Sequence, residues 1–174
     1  MNDIQYIGEH AGLGMTGKIL IVLAFTASLL SAISYLISTY KGEERSWLKI
    51  ARASFGFHAV SVVGIFALLY YLIYNHFFEF YYVWYHSSKT LPMRYIFSCF
   101  WEGQEGSFLL WTFWHVILSL FIIRKGGEWE SPVMSVIMLV QVFLSSMVLG
   151  VYIGDLHIGS NPFILLREHA DMQN

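Results

Sequence analysis

The sequence predicts an all-α membrane protein of four transmembrane helices, with a long exterior loop between helices two and three. Two observations carry the prediction. The 174-residue chain is 56% hydrophobic and 13% charged, whereas a soluble domain carries about a quarter charged residues. Four runs, 19–40, 53–78, 106–123 and 131–154, contain no Asp, Glu, Lys or Arg. Each approaches or exceeds the roughly 18–20 residues that cross a bilayer as a helix. None alternates polar and apolar residues in segments of about ten, as barrel strands do. The expected helices are 17–40, 53–78, 106–124 and 131–154, within a single transmembrane domain spanning 1–174.

Residues 1–16, polar and carrying Gly8, Gly12 and Gly14, read as an exterior lead-in. The flank of helix one holds Asp3, Glu9 and only Lys18, unlike the basic flank of a cleavable signal peptide. Helix one carries Ser28, Ser31, Ser34 and Ser38 at three- and four-residue spacing. Helix two has Ser54, Gly56, His58, Ser61 and Gly64, and helix four has Ser145, Ser146 and Gly150. Small residues at this spacing let helices approach closely and hydrogen-bond across their interface. Packing is the first reading of these stripes, and the lining of a polar pathway the second.

Lys and Arg set the expected orientation. The loop after helix one holds Lys41, Arg45, Lys49 and Arg52, and the loop after helix three holds Arg124 and Lys125. The other side has Lys89, Arg94 and Arg167, with Lys18 at the border of helix one. Positive-inside bias places both termini and the Glu79–Glu105 loop outside, on the periplasmic side of a bacterial inner membrane. A net charge of −2 argues against a nucleic-acid partner. The lone cysteine, Cys99, leaves no disulfide framework, no redox pair and no Cys-x-x-Cys-His for covalent haem.

The exterior loop opens with an aromatic string from His76 to His86. It reads as an interfacial aromatic belt or, more sharply, as a stacking floor for a flat apolar ligand. Ser87-Ser88 and Leu91-Pro92 supply turns. The apolar stretch 95–101 is too short to cross and is expected to lie along the interface. The segment Trp101-Glu102-Gly103-Gln104-Glu105-Gly106-Ser107-Phe108-Leu109-Leu110-Trp111 then enters helix three. A start near Gly106 or Ser107 would put Glu102 and Glu105 at the positive helix end, with the Ser107 hydroxyl as cap. That explanation needs no ligand, and the tryptophans also serve as interfacial anchors.

Catalysis has little support in the residues. Two carboxylates three positions apart have no visible partner set, and the seven histidines form no His-x-x-x-His or other metal pair. No metal site is expected. His58 and His115 lie within membrane runs, so a small di-histidine b-type cytochrome subunit is one alternative. A cofactor-free scaffold for partner helices is another. A transporter is weaker, because no repeated half or interrupted helix pair is evident.

The Trp101–Trp111 segment, preceded by Val83, His86-Ser87, Leu91-Pro92 and Tyr95, resembles the N-terminal region of the CcmF/CcsA family of cytochrome c biogenesis. The match is to a Trp-x-Gly-x-Glu-Gly-Ser-x-x-Leu-Trp element after an exterior Leu-Pro segment. The opening Asp3-Ile-Gln-Tyr-Ile-Gly-Glu-His10 also resembles CcmF-like chains. The resemblance implies a polytopic inner-membrane protein that helps bind and present b-type haem to apocytochrome c. The implied partners are the lipid bilayer, haem, apocytochrome c and other maturation subunits. The family's tryptophan-rich WWD segment and its flanking histidines have no counterpart in residues 1–174. The chain is therefore expected to be the N-terminal part of a larger protein, or the product of a split gene. It would belong to a haem lyase system without being catalytic alone. None of its histidines is equated with a family haem ligand. The residues implied for the haem or apocytochrome vicinity are Trp101, Gly103, Glu105, Gly106, Ser107 and Trp111.

Overall fold

A computed structural model describes residues 8–41, 45–153 and 156–171. Four of its helices are long and apolar enough to cross a membrane. They are α1 (Ala11–Lys41), α2 (Arg45–Tyr74), α5 (Gln104–Lys125) and α6 (Glu130–Leu149), the last entered through a 3-10 turn at Gly127–Trp129. Between α2 and α5 come α3 (Tyr81–His86) and α4 (Met93–Cys99). After α6 the strands β1 (Val151–Ile153) and β2 (Leu156–Ile158) pair antiparallel, and α7 (Leu166–Asp171) follows. The all-helical membrane architecture stands, with this short hairpin added.

The bundle follows chain-neighbour order around a ring. α1 packs on α2 and α6, and α5 packs on α6 and α2, so α2 and α6 face each other diagonally. The buried stripe of α1 runs Gly14, Gly17, Ile21, Ala24, Ser28, Ser31, Ser34 and Ser38, at the spacing that keeps one helix face inward. Its small residues bring α2 close enough for the Ser31 hydroxyl to donate to the Ala51 carbonyl at 3.0 Å. The serine stripes therefore act as packing faces.

Helix boundaries depart from the charge-free runs for local reasons. Residues 11–16, expected in the lead-in, already form the first turns of α1, while residues 1–7 lie outside the described residues. Arg45, Lys49 and Arg52 belong to the first turns of α2 rather than to a loop. α2 stops at Tyr74, four residues before Phe78, because His76 takes φ +54° and the Asn75 amide donates to the Tyr71 carbonyl at 2.8 Å. α6 stops at Leu149, before the expected end at Gly154, which lies outside the described residues. Gly150 turns the chain at φ +72° and the Met147 carbonyl accepts from the Ser160 N–H at 3.0 Å, a glycine-terminated helix end.

Opposite the α3–α4 segment, one ion pair ties three helices. Glu130, at the start of α6, is almost completely buried and accepts from Arg52 Nε at 2.7 Å and Nη2 at 2.6 Å. The Tyr35 hydroxyl of α1 reaches the same carboxylate at 3.4 Å, and Ser38 and Ser131 hydroxyls meet at 3.1 Å. Paired, bidentate geometry is what a carboxylate needs to be buried at acceptable cost.

Candidate functional site

The Trp101–Trp111 segment folds around Tyr82. The Tyr82 side chain is 2% exposed; its hydroxyl donates to the Phe100 carbonyl at 2.8 Å and accepts from the Gly103 N–H at 3.3 Å. Burial pushes its phenol well above the ordinary range, and the nearby Glu105 and Glu102 carboxylates add to the effect. The hydroxyl therefore remains a protonated donor at physiological pH.

Both glycines of the segment exist for this approach. A Cβ on Gly103 would stand 2.6 Å from Tyr82 Cε2, 2.7 Å from His86 Nε2 and 3.1 Å from Glu105 Oε2. A Cβ on Gly106 would overlap the Phe100 carbonyl oxygen and the Tyr82 hydroxyl. Gly103, Glu105 and Gly106 thus meet the α3 residues Tyr82 and His86 at the head of α5. The His86 ring is itself held between Tyr82, at a centroid distance of 4.6 Å, and Tyr85, at 4.9 Å.

The helix entry differs from expectation. α5 begins at Gln104 with Gly103 as its N-cap and no side-chain cap bond. Ser107 is not the cap. Its hydroxyl lies inside the first turn and donates back to the Trp101 carbonyl at 2.9 Å, locking the turn that precedes the helix. Glu105 stays in the first turn, where negative charge is stabilised by the helix dipole.

The tryptophans separate from this cluster. Trp101 is 38% exposed and packs edge-on against Phe97 at 4.9 Å. Trp111 is 59% exposed on the outer face of α5, two turns along, and meets Phe108 rather than the glycines. The aromatic string also divides. Phe80 and Tyr82 are core residues, while Trp84 and Tyr85 are open at 54% and 64%. Neither a belt nor a stacking floor describes the whole string. The 95–101 stretch does not lie free, since α4 packs on α2 with Phe100 at 4.2 Å from Phe66 and Phe97 at 6.0 Å from Tyr70. Burial also raises the Cys99 thiol pKa, with Glu102 contributing, and so disfavours the thiolate.

The segment 159–171 completes this end of the bundle. Phe163 lies over Gly17 of α1, where any Cβ would overlap its ring. Backbone bonds join Tyr81 N–H to the Ile164 carbonyl at 2.9 Å and Leu166 N–H to the Glu79 carbonyl at 2.8 Å. Lys18 pairs with Glu168 at 2.6 Å, Arg167 with Glu9 at 3.2 Å, and His10 with Glu79 at 2.7 Å. His169 stacks on Tyr81 at 3.7 Å. Burial works against the Glu168 charge, yet the Lys18 ammonium and the Leu165 N–H hold its pKa below the usual carboxylate range. Sequence reasoning missed this docking, and it missed Tyr82 and Glu130 as organising residues.

The di-histidine alternative would seat a haem between His58 and His115. The His58 Nδ1–H donates to the Ala24 carbonyl of α1 at 2.8 Å. The cavity one turn away, between Ala24, Val62, Thr112 and Ser145, is about the size of a single water molecule. A porphyrin could enter there only if the helices parted. Among the described residues no three His, Cys, Asp or Glu side chains gather to hold a metal ion.

No family model matches the chain. It is 27% identical over 161 residues to "Cytochrome c-type biogenesis protein CcmF" of Pseudomonas aeruginosa, covering 90% of this chain and 23% of that protein. It is 28% identical over 109 residues to the protein of the same description from Pseudomonas fluorescens, covering 60% and 16%. A solved structure titled "Cytochrome c Heme Lyase CcmF" superposes with a TM-score of 0.75 at 25% identity, over 99% of this chain and 28% of that one. The chain spans about a quarter or less of the length of the curated relatives it matches. Relatives in sequence and in fold agree: both are CcmF proteins, and the chain is similar to them over most of its length.

Proposed function

We propose that this chain works in cytochrome c maturation, as a membrane component that helps bind and present haem to apocytochrome c for covalent attachment. One observation carries the reading. In a chain that superposes on a haem lyase over 99% of its length, Gly103 and Gly106 of the resembling segment meet Tyr82 and His86 at one end of the bundle, beside open aromatic rings. Haem is then a handled substrate, b-type in form, that meets the α3–α5 end from outside. Open rings at Trp84, Tyr85 and Trp101 suit its flat apolar faces. Glu105, Gly103 and Gly106 hold that surface through Tyr82 and His86, Ser107 fixes the turn, and Trp111 contacts lipid or a partner helix.

This end faces the periplasm of a bacterial inner membrane, with both termini on that side. The working partners are apocytochrome c, other maturation subunits and the remainder of a larger polytopic protein of which the chain is the N-terminal part. The test is complementation in a host whose c-type cytochromes depend on this chain. Covalent haem stain, normalised to the amount of folded chain, is expected to fall for Glu105→Ala. Unchanged stain per chain would remove Glu105 from the assignment, and unchanged stain on deleting the chain would remove the function.

A further inference from the structure

We infer that the outward face of α5 around Trp114 and His115 is an interface for a further transmembrane helix, one that sets an amide or hydroxyl side chain among small residues at mid-bilayer.

His115 lies eleven residues after Gln104 and ten before Lys125, the two ends of α5. At 1.5 Å per residue it stands about 15 Å from either end. Trp114 and His115 therefore occupy the centre of the span, where no bulk water reaches. Trp111, Trp114, Leu118 and Phe121 are 52–66% exposed, a stripe at three- and four-residue spacing on one helix face. His115 borders that stripe, four residues after Trp111 and three before Leu118.

The polar atoms of this face are unsatisfied. His115 Nδ1 is buried with no hydrogen-bond partner, and no hydrogen bond is made by the Trp114 indole N–H among the described residues. Tryptophan at a bilayer-facing position ordinarily settles at headgroup level, where its N–H meets water. An imidazole at mid-depth ordinarily faces a polar partner.

The other outward faces differ. Leu23 and Leu30 of α1, Val60 and Val63 of α2, and Val136 and Val140 of α6 present only hydrocarbon. Thr26, exposed on α1, returns its hydroxyl to the Val22 carbonyl at 2.9 Å. Lipid is sufficient cover for those three faces and leaves the polar atoms of α5 unpaired.

The chemistry names the occupant. An indole N–H only gives, while a neutral imidazole has one hydrogen to give and one nitrogen to receive. An amide or hydroxyl both gives and receives, so it complements this face, whereas an acyl chain does neither. A second copy fits poorly, because α5 would meet its own tryptophans and bulky residues on both helices hold the axes apart. Small residues beside the polar side chain let a partner helix close. The interface stands whether or not the chain handles haem.

The test places a benzophenone photocrosslinker at Leu118, one turn from both residues, in the full chain in its native membrane. Irradiation is expected to join it to a peptide from outside residues 1–174. Fragmentation mass spectrometry should place the bond in a membrane-spanning helix, within one turn of Ser, Thr, Asn or Gln. His115→Leu is expected to lower that yield several-fold, and His115→Asn, which keeps a polar nitrogen near the Nδ1 position, to retain it. Lipid adducts alone, a bond to a second copy, or a helix without such a side chain would overturn the inference. So would equal yields from His115→Leu and the unsubstituted chain. Should a variant fail to fold, the Leu118 bond in the otherwise unsubstituted chain decides.

Discussion

The buried contacts at the two ends of the bundle differ in chemistry, although partly exposed ion pairs also close the α3–α5 end. At the α3–α5 end, contact is made by backbone: Gly103 and Gly106 let the Tyr82 ring and the Phe100 carbonyl come close against the head of α5, and neutral hydrogen bonds hold them. At the other end, contact is made by charge: Arg52 and Tyr35 close on a buried Glu130. The first arrangement is rigid and shape-specific, with open aromatic rings beside it. The second is a clamp around a buried carboxylate, although Trp129 and Tyr40 are open at the same end. On the proposed function, the surface that presents haem falls where geometry is set by backbone, and the clamp where helix position matters.

The sharpest way to break the comparison is Gly106→Ala. Its methyl group has no space beside the Phe100 carbonyl, and backbone does not yield as a flexible side chain would. A loss of about 3 kcal/mol or more is expected, read as failure to obtain monodisperse chain in detergent. Glu130→Ala comes next, leaving Arg52 without its partner. Because the Arg52 side chain is 47% exposed, water recovers part of its charge, and the expected cost is about 2–3 kcal/mol. Thermal unfolding in detergent measures it. Tyr82→Phe keeps the ring and removes the hydroxyl, so the Gly103 N–H and Phe100 carbonyl lose a partner, at about 1–2 kcal/mol.

The smallest effect is expected at the 159–171 segment. Glu168 has its pKa lowered by Lys18, so its contribution is complete above the ordinary carboxylate value of 4.5 and is lost as pH falls through the lower folded value. Hydrogen exchange at Leu165 and Leu166 should accelerate in that acidic window, and Lys18→Met should abolish most of the pH dependence.

Much of the fold was legible in the sequence because the bilayer imposes length and charge rules on every span. The helix ends were less so. Gly150 and His76 end α6 and α2 through φ values that hydropathy does not record. In the candidate site, the spacing of Gly103 and Gly106 announces that something approaches α5 closely. The identity of that neighbour, Tyr82, lies 21 residues away from Gly103 and depends on how α3 turns back. The Arg52–Glu130 pair, separated by 78 residues, has no local signature at all. Arg52 looked like one more cytoplasmic charge until the helices were placed side by side.

The central claim is that the α3–α5 end is the working end and the Glu130 end a structural clamp. The most direct test is covalent cytochrome c haem per folded chain, measured for Tyr82→Phe and Glu130→Gln in the same complemented host. The account predicts a several-fold drop per chain for Tyr82→Phe. For Glu130→Gln it predicts less folded chain but an unchanged yield from each. Equal yields per chain for both, or a drop confined to Glu130→Gln, would contradict it.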